Sequence, residues 1–184
     1  DSGIDNIEIS GGTYEQPRLL GLDKVSINPE RSENRKESTI AREAYFLSYA
    51  EEIAKVVNIP LMVTGGFRTK EGMEAALADG ACEIVGVGRP LCANPYAVKE
   101  LLAGQIDELP KYEKTLSIGP WWLSPTSPFR LIQAINAFSA QAWFYQQIKK
   151  MGKGLMPDLN LKPWKAFRED AKADQEAIKE YQNI

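Results

Sequence analysis

The sequence predicts an α/β fold: the C-terminal portion of a (β/α)8 TIM barrel, about three βα units, followed by a helical C-terminal extension. Three observations predict it. Apolar runs with strand character alternate with helix-periodic segments, which is the grammar of right-handed βαβ units in a parallel sheet. Each predicted strand ends in glycine, reading SGG, TGG and VGRP, so backbone amides are bared at the same sheet edge each time. Beyond Arg89 the pattern changes to aromatic-rich, helix-forming sequence. We expect a partial barrel over residues 1–118 and a helical extension over 119–184.

Taken in order, DNIEIS at 5–10 alternates weakly and runs into Gly11 and Gly12, as a short strand ending in a turn does. Residues 13–39 show no sustained period and read as a long loop, a kind uncommon unless functional. From Ala41 to Val57 apolar residues recur at helical spacing with Glu51 and Glu52 outward. IPLMVTGG has the look of a strand buried on both faces. Thr69 to Asp79 reads as a helix with Thr69 as N-cap and Gly80 as its stop. CEIVGVGRP is a second buried strand. A short helix over 94–104, a Pro, Ser and Trp-rich irregular stretch, a long helix from Phe129 to Met151, an interrupted link over 152–163 and a charged helix from Trp164 to Tyr181 complete the chain.

Composition bounds the function. At 184 residues the chain is shorter than a complete barrel, which needs roughly 250. The missing initiator Met and an opening on a helix-to-strand junction read as a piece of something longer. With 22 basic and 25 acidic residues interspersed, the net charge of −3 offers no field to recruit nucleic acid. No apolar run reaches the roughly 18 residues of a membrane span, and membrane association is not expected. No secretory leader pattern opens the sequence, and Cys82 and Cys92 lack metal or framework spacing, so we expect two small buried or partly buried thiols in a reducing, cytoplasmic setting. The absence of histidine excludes Ser-His-Asp and Cys-His catalysis and His-ligated metals within this chain. No catalytic residue and no metal ligand is assigned.

The constellation that carries chemistry lies at the glycine-ended strands. Glycines let backbone N–H groups approach phosphate oxygens closely, and a following helix adds its N-terminal dipole. Gly65 and Gly66 fit that role before the helix at Thr69; one βα unit later Gly88 supplies an amide and Arg89 a fork of donors matched to phosphate. Gly-Gly after a strand is also an ordinary turn, and an Arg after glycine an ordinary surface residue. Two such ends in phase favour the phosphate site. Barrels often use the loops after their seventh and eighth strands in this way.

These segments carry a resemblance. IPLMVTGGFRT, followed after a helix by GACEIVGVGRPLCANP, resembles the last two strand-and-loop units of the old yellow enzyme family of FMN-dependent, NAD(P)H-linked oxidoreductases, and GIDNIEISGGTYE resembles the strand before them. The match covers roughly residues 3–100; the tail from Gly119 to Phe167 is similar in style to extensions of fungal members. The resemblance implies that Gly65, Gly66, Gly88 and Arg89 bind the FMN phosphate. It also puts Ser10, Gly11 and Gly12 at the mouth of the same pocket, near flavin or substrate. The family's flavin-ring contacts, substrate-anchoring pair and proton donor come from the first five strands, which this chain lacks. The expectation is therefore a fragment of a flavoprotein oxidoreductase taking a small-molecule substrate and NADH or NADPH as reductant. A non-catalytic, phosphate-binding or partner-dependent half-barrel is the alternative; a sugar-phosphate barrel fits the GGFRT and VGRPLCANP segments less well. Three βα units leave exposed edges, so the rest of the barrel or another chain is expected to cover them.

Other residues have two readings. Arg68 leans toward the phosphate or caps the helix region, or is a solvated or ion-paired cation. Tyr14 and Glu15 lie just past a strand end, Arg42 and Glu43 make ordinary surface pairs, and Glu8 points into the barrel to meet a cation. The aromatic cluster Trp121, Trp122, Phe129, Phe138, Trp143, Phe144 and Tyr145 packs on the core or a second subunit, or lies on a membrane surface.

Overall fold

A computed structural model describes residues 3–10 and 47–182. The loop expected at 13–39, the start of the helix expected from Ala41, and Gly11, Gly12, Tyr14, Glu15, Arg42 and Glu43 lie outside the described residues. The described chain divides into two compact units, one of residues 3–10 and 47–111 and one of residues 112–182.

In the first unit, strands β1 (Ile7–Ser10), β2 (Leu61–Thr64) and β3 (Ile84–Gly86) form a parallel sheet in that order. Helix α1 (Leu47–Ala54) precedes β2 and α2 (Lys70–Ala78) precedes β3, so each parallel connection carries a helix. Register aligns Ile9 with Val63 and Val85, and Ser10 with Thr64 and Gly86. Because strand side chains alternate, Ile7, Ile9, Leu61, Val63 and Val85 share one face, and this face meets the helices through Ala50, Phe67, Ala76 and Cys82. Burying each large apolar side chain there contributes about 1.5–3 kcal/mol. Thr69 caps α2 through its hydroxyl, which accepts from the Gly72 N–H at 3.2 Å, and Gly80 at φ +68° turns the chain after it.

Two expectations need correction. β2 and β3 are not buried on both faces: Met62 and Thr64 are half-buried and Ile84 is 41% exposed. Among the described residues the helices of this unit pack on one face of the sheet, which is why the other face is left partly exposed. Glu8, on that second face, is exposed. β3 is also shorter than CEIVGVGRP. Glu83 stands at its start, donating its N–H to the Leu61 carbonyl (2.9 Å) while its carboxylate accepts the Leu61 N–H (2.7 Å).

Two further helices, α3 (Arg89–Ala93) and α4 (Ala97–Leu102), follow β3 in place of the single helix expected over 94–104. Asn94 breaks them: it takes an extended conformation, and its side-chain oxygen accepts the Tyr96 N–H at 3.0 Å. Ala97, Leu101 and Leu109 form a smaller core with Met73 and Val87.

The second unit is built on α5 (Arg130–Gly152) and α6 (Pro163–Gln182), which pack together. Asn136, 3% exposed, organises the irregular stretch before α5. Its amide donates to the carbonyls of Leu123 (2.9 Å) and Ile132 (2.8 Å), and its oxygen accepts the Ile118 N–H (3.0 Å). Trp143, 1% exposed, donates its indole N–H to the Leu161 carbonyl (2.9 Å) and meets Phe144 edge-on at 5.1 Å. The rest of the aromatic cluster does not join the core: Trp121, Trp122, Phe129, Phe138 and Tyr145 are exposed. Asn136, Ser139 and Gln147 share the buried face of α5 with Ala137, Ala142 and Trp143. Among the described residues no helix is long and apolar enough to cross a membrane.

Candidate phosphate-binding edge

The sheet register sets the site. Thr64 pairs with Gly86, so the segments leaving β2 (Gly65, Gly66) and β3 (Val87, Gly88, Arg89) emerge side by side at the C-terminal edge. Ser10 ends β1 on the same row and is exposed. Gly65 and Gly66 have φ of +112° and +88°, conformations a side chain would strain, which explains why both positions are glycine. The Gly65 N–H donates to the Gly86 carbonyl at 3.4 Å and holds the first glycine to the sheet. Neither the Gly66 nor the Gly88 N–H makes a backbone hydrogen bond among the described residues. A Cβ placed on Gly65 or Gly88 would meet nothing within 4 Å, so the backbone there is open to an approaching group. Arg89 opens α3 and is half-buried. Two unspent amides, open glycine backbone and a guanidinium one strand over are a donor set suited to an anion.

Arg68 is buried, at 7% exposure, and not solvated. Its guanidinium donates to the Phe67 carbonyl at 2.7 Å, and its own carbonyl accepts the Leu109 N–H at 2.7 Å. An antiparallel bridge between Thr69 and Glu108 adjoins it. Composition in GGFRT carries no sign of this, since the segment bonded to the Arg68 backbone lies some forty residues downstream.

Sequence reading also passed over Thr64 and Gly86. A Cβ on Gly86 would lie 1.8 Å from Thr64 Oγ1, so only glycine fits opposite this threonine. Thr64 Oγ1 is buried without a hydrogen-bond partner among the described residues. Cys92 lies on α3 with its thiol facing the Gly88 carbonyl at 3.7 Å, and Cys82 is buried before β3; both are free thiols. Burial pushes both thiols up; the charge of Glu83 adds to this at Cys82, while Arg89 works against it at Cys92. Among the described residues no group of acidic or cysteine side chains could hold a metal ion.

No protein-family model matches the chain. Individual proteins do. Over 103 residues it is 44% identical to an NADH-dependent flavin oxidoreductase of Hypocrea jecorina, covering 55% of this chain and 24% of that protein. Over 157 residues it is 32% identical to an NADH-dependent flavin oxidoreductase of Talaromyces variabilis, covering 83% of this chain and 35% of that one. An NADH oxidase of Thermoanaerobacter brockii is 30% identical over 151 residues, covering 82% of this chain and 21% of the bacterial protein. The chain thus spans between about a fifth and about a third of the length of these relatives.

Proposed function

Because the chain belongs to the NADH:flavin oxidoreductase family, also called the old yellow enzyme family, we propose that it supplies the FMN phosphate site of an NAD(P)H-dependent flavin oxidoreductase. One observation carries the proposal: the amides of Gly66 and Gly88 stay unspent where two parallel strands end side by side, beside Arg89. Gly65 and Gly66 would wrap one side of the phosphate while Gly88 and Arg89 close the other, with Ser10, Gly11 and Gly12 toward the flavin or substrate. Bound FMN supplies the hydride chemistry; the residues of this chain anchor and orient it. Residues 1–118 would be part of a (β/α)8 barrel and 119–184 its helical extension. Relatives several times longer than their matched segments support this division of labour, in which the remaining barrel carries the groups that meet substrate. A half-barrel that binds phosphate without oxidoreductase activity is the second reading, and it rests on the same open glycine backbone.

Binding of FMN to the purified chain, followed by quenching of flavin fluorescence, tests the proposal. Hydrogen bonds to a charged partner contribute about 1.5–3 kcal/mol, so Arg89→Ala should weaken binding by roughly 10- to 150-fold. Unchanged affinity in Arg89→Ala would remove Arg89 from the site. Binding of inorganic phosphate and FMN alike, without NADH-dependent flavin reduction, would favour the second reading.

A further inference from the structure

The open face of the sheet carries a hydroxyl that the fold does not use. Strand side chains alternate, so Ser10, Thr64 and Gly86, which pair in one row, stand on the face opposite Ile9, Val63 and Val85. This row is the last before the glycine ends of β2 and β3. Ser10 is exposed there, and Gly86 contributes no side chain. The space a Gly86 side chain would take is filled by the Thr64 hydroxyl, 1.8 Å from where a Cβ would lie, and by the Met62 methyl at 2.8 Å. Thr64 Oγ1 is buried in that space, and among the described residues nothing accepts from it or donates to it.

A buried hydroxyl without a partner opposes folding, and valine would fill the same strand position with the same branched shape and no orphaned group. Folding therefore gives no reason for a threonine here, whereas a ligand would. We propose that Thr64 holds the polyol chain of a phosphate-bearing ligand, donating its O–H to an oxygen close to the phosphate. The inference rests on the phosphate site proposed above and adds to it the class of ligand. That class is a sugar-alcohol phosphate, such as the ribityl phosphate of FMN, rather than phosphate alone.

Position in the sheet sets what the hydroxyl can reach. The amides of Gly66 and Gly88 lie just beyond the row, and one residue of strand spans about 3.3 Å. A phosphate held on those amides leaves the chain attached to it within a residue or two of Thr64. A bare phosphate has no atoms to send there. Met62 shares the space through the end of a half-buried side chain, and a methionine methyl swings aside at little cost. An arriving chain can therefore take the place of that methyl beside the hydroxyl.

Quenching of flavin fluorescence by the full chain tests the proposal, read beside the urea midpoint without ligand. Thr64→Val should leave that midpoint unchanged or raise it, yet weaken FMN binding by roughly 2- to 12-fold, the loss of one neutral hydrogen bond. Inorganic phosphate, measured as a competitor of FMN, should bind Thr64→Val as it binds the parent. Thr64→Ser keeps the hydroxyl and should hold FMN affinity within about twofold. Unchanged FMN affinity in Thr64→Val, in a parent chain that binds FMN, overturns this inference alone. So does an equal weakening of inorganic phosphate, which would make Thr64 part of the glycine turn and not a contact for the chain. A lowered midpoint in Thr64→Val, or a Thr64→Ser that weakens as much as Thr64→Val, overturns it as well. A parent chain that binds neither FMN nor phosphate removes the phosphate site itself, and this inference with it.

Discussion

Replacing Gly86 by alanine is expected to destabilise the first unit severely, and the structure shows what would limit the damage. The added Cβ would sit 1.8 Å from Thr64 Oγ1, 2.7 Å from Thr64 Cβ and 2.8 Å from Met62 Cε. Non-bonded carbon atoms rest about 3.5–4.0 Å apart, so all three contacts must be relieved. Met62 can swing its terminal methyl away, and the Thr64 hydroxyl can rotate. Thr64 Cβ cannot move without its strand, so β2 and β3 must separate locally. Overpacking of this kind costs about 1–3 kcal/mol, and the anchored Cβ places Gly86→Ala at about 3 kcal/mol. With a urea slope of about 2 kcal/mol per molar, the denaturation midpoint should fall by about 1.5 M. Thr64→Ala should cost only about 1 kcal/mol by itself, because the methyl it loses is offset by removing a buried hydroxyl that has no partner. In the Gly86→Ala background the same change should instead recover part of the loss, because it removes the hydroxyl 1.8 Å from the new Cβ but keeps the Thr64 Cβ 2.7 Å away. This reversal of sign in a double-mutant cycle is the diagnostic result. An unshifted midpoint for Gly86→Ala, or strictly additive losses, would refute the packing argument.

Other expectations follow from single contacts. Thr69→Ala removes the hydroxyl that caps α2 and should cost about 1 kcal/mol in the same urea assay. Trp143→Phe keeps an aromatic ring but leaves the Leu161 carbonyl without its donor, so a loss of about 1–3 kcal/mol is expected, and Trp143→Ala should lose about 3–5. Both thiols are held neutral by burial, so iodoacetamide at pH 7 should modify Cys82 and Cys92 slowly, with Cys92 responding first as pH rises. A thiol harder to ionise in the folded chain than in the unfolded one adds stability that is complete below the unfolded value of about 8.5 and is lost as pH climbs through the folded one. The urea midpoint should therefore fall on the alkaline side, and Cys82→Ala should flatten that fall.

Much of this was legible locally. Thr69 and Gly80 bounded α2 because a hydroxyl cap and a left-handed glycine are decided by neighbouring residues. The glycine ends of β2 and β3 were visible for the same reason, and the parallel register then brought them together. What escaped depends on distant partners. Arg68 is tied through its carbonyl to Leu109, forty-one residues later, and Gly86 is glycine because of Thr64, twenty-two residues earlier. Asn136 and Gln147, polar and buried on α5, owe their burial to tertiary partners that helical spacing alone does not reveal.

The tie between Arg68 and Leu109 has a consequence for capture of an anion. The residues from Gly65 to Arg68 run between two fixed points, the end of β2 and the bridge from Thr69 to Glu108. Four residues pinned at both ends have few conformations left to lose. Backbone ordering costs about 1–2 kcal/mol per residue, and here folding meets that cost before any ligand arrives. A ligand would then encounter glycine amides already in place. The residues that grip and the residues that hold the grip steady would be separable by mutation: loosening the Glu108–Leu109 segment should slow capture while leaving every contacting group intact.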